Sequence, residues 1–222
     1  MTLREIVQLI QNVVDWPALR NRSYVFKNRL HAGELLASEL EKHVGEDAVL
    51  LALPAGGVPV GHAVSSSLGI PLAVAVVRKI QIPWNTEAGF GAIAWDGSVV
   101  LNEPLVRELG LTSDQVEDCI SRTRQIVSER VRKFAGNRPF PRLRDHTIVV
   151  VDDGLASGYT MMTALDSIRR QEPRKTVAAV PTGSEGAVRL VSSKVDLIVC
   201  LNIRSGPIFA VADAYEEWHD LT

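Results

Sequence analysis

The stretch HTIVVVDDGLASGYTMMTAL, His146 to Leu165, decides how this chain is read. Four apolar residues, Ile148 to Val151, run directly into two adjacent acids, Asp152 and Asp153. A loop of mostly small residues follows, Gly154 to Gly158, and then a helix-like run. A strand apolar on both of its alternating faces belongs inside a parallel sheet covered on both sides. In such sheets, ligands bind beyond the carboxyl ends of the strands. Small loop residues let backbone N–H groups turn inward around an anion, and the following helix adds the positive end of its dipole. Ser157 and Thr160 can add hydroxyl donors. The cradle suits a phosphate. Two carboxylates beside it would repel that phosphate, so they must face hydroxyl donors or a divalent cation. A ligand that carries a phosphate, a diol and magnesium meets every condition. A nucleoside triphosphate would normally call for a lysine in the loop, and this loop has none. Acids at a strand end also fit a plain turn or a phosphorylatable aspartate, but the whole string Val149–Thr160 is more specific than the acids alone.

The rest of the chain supports the same architecture. Its 222 residues, 46% hydrophobic and 23% charged, suit one well-packed domain. A net charge of −2 and a pI near 6.2 give no global basic field for nucleic acid or membrane. Cys119 and Cys200 are too few for a disulfide framework and read as buried thiols. The opening MTLREIVQLIQNVVDW reads as an amphipathic helix from Leu3 to Val14, not a signal peptide, which makes a cytoplasmic protein the expectation. Further helices are expected in HAGELLASELEKH, in AGGVPVGHAVSSSLG ending at Gly69, over Thr112–Phe134 behind a Thr112/Gln115 capping box, over Thr160–Arg170 and over Glu185–Ser192. Strands are expected at DAVLLALP, PLAVAVVRK, Thr176–Val180 and Val195–Cys200. Ile80–Leu101 reads as a long mobile loop, with Gly89 and Gly91 as hinges and a short hairpin turning at Asp96–Gly97. Arg122, Arg124, Arg130, Arg132 and Lys133 read as a solvated helix face. The five histidines show no ligand-like spacing. Alternating strands and helices predict an α/β, Rossmann-like parallel sheet of about five strands with helices on both faces.

VVVDDGLASGYT resembles the phosphoribosyl-pyrophosphate (PRPP) signature of type I phosphoribosyltransferases. FKNRLHAGELLA, LALPAGGVPVG and VVRKIQIPWNTEAGFGAI are similar to a subgroup whose acceptors are poorly defined. The resemblance implies one domain over 1–222, with a helical extension (1–25), a core (26–200), a flexible lid loop and a C-terminal hood (201–222). It implies a Mg²⁺-dependent transferase that moves the 5-phosphoribosyl group of PRPP to a nitrogenous base and releases pyrophosphate. Asp152 and Asp153 would bind the ribose hydroxyls. Gly154, Leu155, Ala156, Ser157, Gly158, Tyr159 and Thr160 would hold the 5′-phosphate. Ala55, Gly56 and Gly57 would hold pyrophosphate through backbone amides, and Arg78 and Lys79 would be the basic pair before the lid. Ile208 and Phe209 would pack on the base, Ala210 would offer backbone hydrogen bonds, and Glu216 would lie near magnesium. The partners implied are PRPP, a nucleobase and a second copy in a homodimer, with no membrane and no nucleic acid.

The sequence departs from the pattern at two positions. Ala55 stands where the subgroup usually has arginine, which removes a cation from the pyrophosphate loop. Ala156 stands where 6-oxopurine enzymes place a general-base aspartate. Adenine, orotate, uracil or an unusual base remain, with a purine-like base favoured. Arg204 is the hood-side cation that orotate would need. The rival reading is a PRPP-sensing regulator or nucleic-acid-binding protein with a degraded site, motivated by Ala55 and the arginines of 122–144. A hydrolase or phosphatase acting on the sugar phosphate is a third.

Overall fold

The computed structural model describes residues 12–135 and 140–221. Its main sheet has six strands, β1 (Val13–Val14), β2 (Ala48–Ala52), β3 (Leu72–Val74), β7 (Thr147–Val151), β8 (Lys175–Ser184) and β9 (Leu197–Arg204). They lie in the order β1-β9-β8-β7-β2-β3, and every pairing is parallel. The α/β parallel sheet is as expected, with one strand more.

Side-chain alternation explains why both faces are covered. Val149 and Val151 of β7 join Leu50 and Ala52 of β2 in a core under α1 (Arg29–Leu40) and α2 (Gly57–Leu68), where Leu36, Leu40, Val60 and Val64 are buried. Ile148 and Val150 point the other way, with Val49 and Leu51, onto Met161, Leu165 and Ile168 of α5 (Tyr159–Arg169) and Val188 and Val191 of α6 (Glu185–Ser192). Each fully buried side chain of this size contributes about 1.5–3 kcal/mol in transfer free energy, and this two-sided burial fixes the strand register. Gly69 closes α2 at φ +68°, as expected of a helix C-cap.

From β2 the chain steps outward to β3, and from β7 it steps the opposite way through β8 to β9. The adjacent pair β2 and β7 is therefore the point where the winding reverses, and the crevice for a ligand opens beyond their carboxyl ends.

Three expectations are corrected. PLAVAVVRK is two strands in two sheets: β3 ends at Val74, Ala75 makes a last bond to the Ala52 carbonyl, and β4 (Val77–Ile82) starts a second sheet. Most of Ile80–Leu101 is sheet rather than loop. Strands β4, β5 (Asn85–Ala94) and β6 (Val99–Leu101) form an antiparallel three-stranded sheet that packs on α4 (Ser113–Ala135), with Ile80, Phe90, Ile93, Cys119 and Val127 buried between them. The irregular places are the turns, at Pro83–Trp84 and at the expected hairpin of Asp96–Gly97, and the β4–β5 pairing around Gln81, where the register shifts. The helix expected from Leu3 does not reach Val14. Val13 and Val14 pair with Ile198 and Val199, and the earlier part lies outside the described residues.

Helix α3 (Glu103–Glu108) and the Thr112/Gln115 capping box lead into α4, whose Arg122 lies on an exposed face as expected. Strands β8 and β9 continue to Ser184 and Arg204, so the first part of the expected hood belongs to the sheet. Both cysteines are buried. No helix among the described residues is long and apolar enough to cross a membrane.

Candidate active site

The two loops at the switch point touch. A Cβ on Gly57 would lie 2.7 Å from the Val151 carbonyl oxygen, and one on Gly56 would lie 2.0 Å from Asp153 Oδ2. Glycine is therefore required at 56 and 57 because a carboxylate and the end of β7 occupy the space. The Pro54–Ala55 peptide is cis, and α2 begins directly at Gly57, so this loop presents backbone at a helix N-terminus beside the two acids.

The two acids have different environments. Asp152 is half-buried, and its Oδ1 accepts the Asp153 N–H at 2.9 Å. Burial, and then the charge of Asp153, push its carboxyl well above the usual range. Asp153 Oδ2 accepts from Arg29 Nε at 2.8 Å, with side-chain exposures of 14% and 7% for the acid and the arginine. The same guanidinium lies 3.7 Å from the Trp218 ring centroid and donates from Nη1 to the His219 carbonyl at 2.9 Å. Tyr215 Oη donates to the Asp153 carbonyl at 2.6 Å, and burial holds its phenol well above the ordinary value. Sequence reasoning does not single out Arg29, Tyr215 or Trp218. The one available signal is a cation at the first position of a helix, where the dipole disfavours it.

The small-residue loop is fastened to β8. Leu155 N–H donates to the Thr182 carbonyl at 2.9 Å, Ser184 N–H returns to the Leu155 carbonyl at 2.9 Å, and Ser184 Oγ donates to the Ala156 carbonyl at 2.8 Å. Beneath it Thr182 Oγ1 and Asn202 Oδ1 share a buried hydrogen bond of 2.6 Å. Leu155 is buried in the core, while Ala156, Ser157, Tyr159 and Thr160 face solvent. Gly158 takes φ +78° as the N-cap of α5, a left-handed conformation that glycine adopts without strain. Gly154 faces the C-terminal segment, since a Cβ there would meet Val211 at 2.6 Å. Of Gly154–Thr160, then, Ala156 to Thr160 form the open cradle and Leu155 is its anchor.

Cavities lie on both sides of the cradle. One, of about 780 Å³, is lined by Ser157, Tyr159 and Thr160 together with Lys79 and Phe90 of the second sheet. Lys79 is thus brought beside the loop, and Arg78, its neighbour on β4, does not line that cavity. The other, of about 570 Å³, is bounded by Ala156, Glu185, Arg189, Arg204, Pro207 and Phe209. Phe209 lies 5.4 Å from the Arg204 guanidinium. Arg204 donates to the Ala210 carbonyl at 3.2 Å and to Asp213 at 3.3 Å, which occupies part of the hydrogen-bonding capacity expected of Ala210. Ile208 is 85% exposed and does not line this cavity. Glu216 is exposed and its N–H donates to the Phe26 carbonyl. No cluster of three or more His, Cys, Asp or Glu able to hold a metal occurs among the described residues. A pair of carboxylates at the mouth of this crevice nevertheless suits Mg²⁺, which is usually held by one or two carboxylates, waters and substrate oxygens rather than a protein cage.

Comparison with known proteins fits this geometry. A crystal structure of TT1426 from Thermus thermophilus superposes with a TM-score of 0.75 at 33% identity, over 89% of this chain and 93% of that one. The Mycobacterium tuberculosis protein named "Putative phosphoribosyl transferase Rv0571c" is 37% identical over 195 residues, 87% of this chain. This chain spans 44% of that relative's length. The family profile described as phosphoribosyl transferase domain matches residues 25–211, and with the switch-point crevice at β2 and β7, the chain belongs to the phosphoribosyl transferase domain family.

Proposed function

We propose that the chain transfers the 5-phosphoribosyl group of PRPP to a nitrogenous base and releases pyrophosphate. One observation carries the reading: Gly56 and Gly57 pack directly on Asp153, Asp152 and the end of β7 at the switch point, which brings the two loops together at the acid pair. The 5′-phosphate takes the cradle of Ala156–Thr160, at the positive end of α5. The ribose hydroxyls donate to Asp153 and Asp152, and the backbone of Ala55–Gly57 takes pyrophosphate. Displacement at ribose C1 builds positive charge on the sugar and negative charge on the leaving group, so fixed amides and a water-excluding cover are what the reaction needs. Mg²⁺, which Asp152 and Asp153 would help to hold, would supply charge neutralisation for the leaving group. Lys79, at the rim of the cradle, adds a cation. The β4–β5 arm, with Trp84 at its tip 62% exposed, is the lid, moving as a piece of sheet rather than as a loop. The acceptor base enters the hood-side cavity against Phe209.

The experiment is a panel of free bases, purine and pyrimidine, incubated with PRPP and Mg²⁺ while pyrophosphate release is followed. Turnover with a single base identifies the acceptor. Phosphate release from PRPP without any acceptor would replace this reading with a hydrolase, and silence across the panel despite PRPP binding would favour a sensor.

A further inference from the structure

We infer that Arg29 is a positioning residue for the acid pair, holding the Asp153 carboxylate in the space left open by Gly56. The inference rests on the reading of the site as a PRPP site. Arg29 is 6% exposed and opens α1, whose N-cap is Asn28, with Asn28 Oδ1 accepting from His31 N–H at 3.1 Å. A cation at that position opposes the helix dipole, and burying it opposes solvation; local structure therefore gives no reason for it. Its tertiary contacts do. Nε reaches Asp153 Oδ2, Nη1 reaches the His219 carbonyl, and the plane lies on Trp218.

The Asp153 carboxylate in turn occupies the space that Gly56 leaves open, where a Cβ would lie 2.0 Å from Oδ2 and 2.7 Å from Oδ1. A carboxylate free to rotate would swing into the Gly56 loop or away from it, and the ribose-facing and pyrophosphate-facing parts of the crevice would lose register together. Arg29 prevents this by a directional hydrogen bond from a rigid planar group, which a lysine reproduces as charge but not as geometry. Tyr215 bonding the Asp153 carbonyl and Glu217 N–H bonding the Lys27 carbonyl at 2.8 Å tie the segment carrying Trp218 to the same point.

The test is a cycle of Arg29→Met, Asp153→Asn and the double variant, with Arg29→Lys as conservative control. PRPP affinity with Mg²⁺ is measured by calorimetry and melting temperature is measured alongside. Positioning predicts that Arg29→Met weakens PRPP binding by about tenfold or more, the loss expected for one charged hydrogen-bond partner. It also predicts that Arg29→Lys recovers part of the affinity, and that the double variant binds no worse than the weaker single one. Wild-type PRPP affinity in Arg29→Met, even with a lowered melting temperature, would make Arg29 merely structural and overturn the inference. Losses that add in the double variant would overturn it as well. If the wild-type protein takes up no PRPP, the functional reading itself fails and the role of Arg29 fails with it, a result distinct from either of the others.

Discussion

Arg29 Nε stands 2.8 Å from Asp153 Oδ2, joining the start of α1 to the end of β7 across 124 positions of chain. Because both side chains are largely buried, removing one partner leaves a charge with poor solvation. Asp153→Asn keeps an acceptor for Arg29 but not a countercharge, so it is expected to destabilise the fold by about 1–3 kcal/mol. Urea denaturation checks this; an unchanged midpoint would show that solvent already screens the pair.

Asp152 is expected to behave in the opposite way. Its folded-state carboxyl is raised above the ordinary value by burial and by Asp153. In the window above that ordinary value the native state therefore holds more protons than the unfolded state, and stability falls as pH rises. Asp152→Asn can still accept the Asp153 N–H and removes the ionisation. The variant should be more stable than wild type at pH 7–8 and should show a flatter stability profile from acid to neutral pH, measured by denaturant midpoints across pH. A variant less stable at every pH would contradict the assignment.

Gly56→Ala should be far more damaging than an ordinary glycine replacement, because its methyl group would occupy the position of Asp153 Oδ2. Displacing that carboxylate by about an ångström is expected to weaken PRPP binding by on the order of a hundredfold. Calorimetry on a variant shown by circular dichroism to be folded reads the effect.

Ala55→Arg introduces a cation into the loop proposed to hold pyrophosphate. A charge-assisted hydrogen bond to pyrophosphate is worth about 1.5–3 kcal/mol, so pyrophosphate should bind about tenfold or more tightly. Competition between pyrophosphate and PRPP measures it. No gain would indicate that position 55 does not face the leaving group.

The β7–loop–α5 unit is legible because each of its signals is local: an unbroken apolar strand, acids at its end, small residues, then a helical stripe. The second sheet is not. Gly89 and Gly91 read as hinges, whereas they are required where strands close, since a Cβ on Gly91 would lie 2.5 Å from the Val100 carbonyl. Arg78 and Lys79 likewise mark the end of one strand in the sequence, although they lie within β4, whose alternating burial is that of a half-exposed hairpin. Val13–Val14 fits a helical stripe as well as a strand, and pairing with β9 decides between them. Arg29, Tyr215 and Trp218 escape notice for a different reason: their partner is distant in sequence, and no spacing rule connects them to Asp153.

Whether the crevice takes up PRPP is read by titrating the wild-type protein with PRPP in the presence of Mg²⁺, by calorimetry and by melting temperature on the same sample. A PRPP site gives saturable heat with a dissociation constant below the millimolar range, and a stabilisation of about 2.7 kcal/mol once ligand reaches a hundred times that constant. Asp152→Asn with Asp153→Asn is expected to abolish the heat while the protein stays folded. No heat and no thermal shift at millimolar PRPP would contradict a PRPP site.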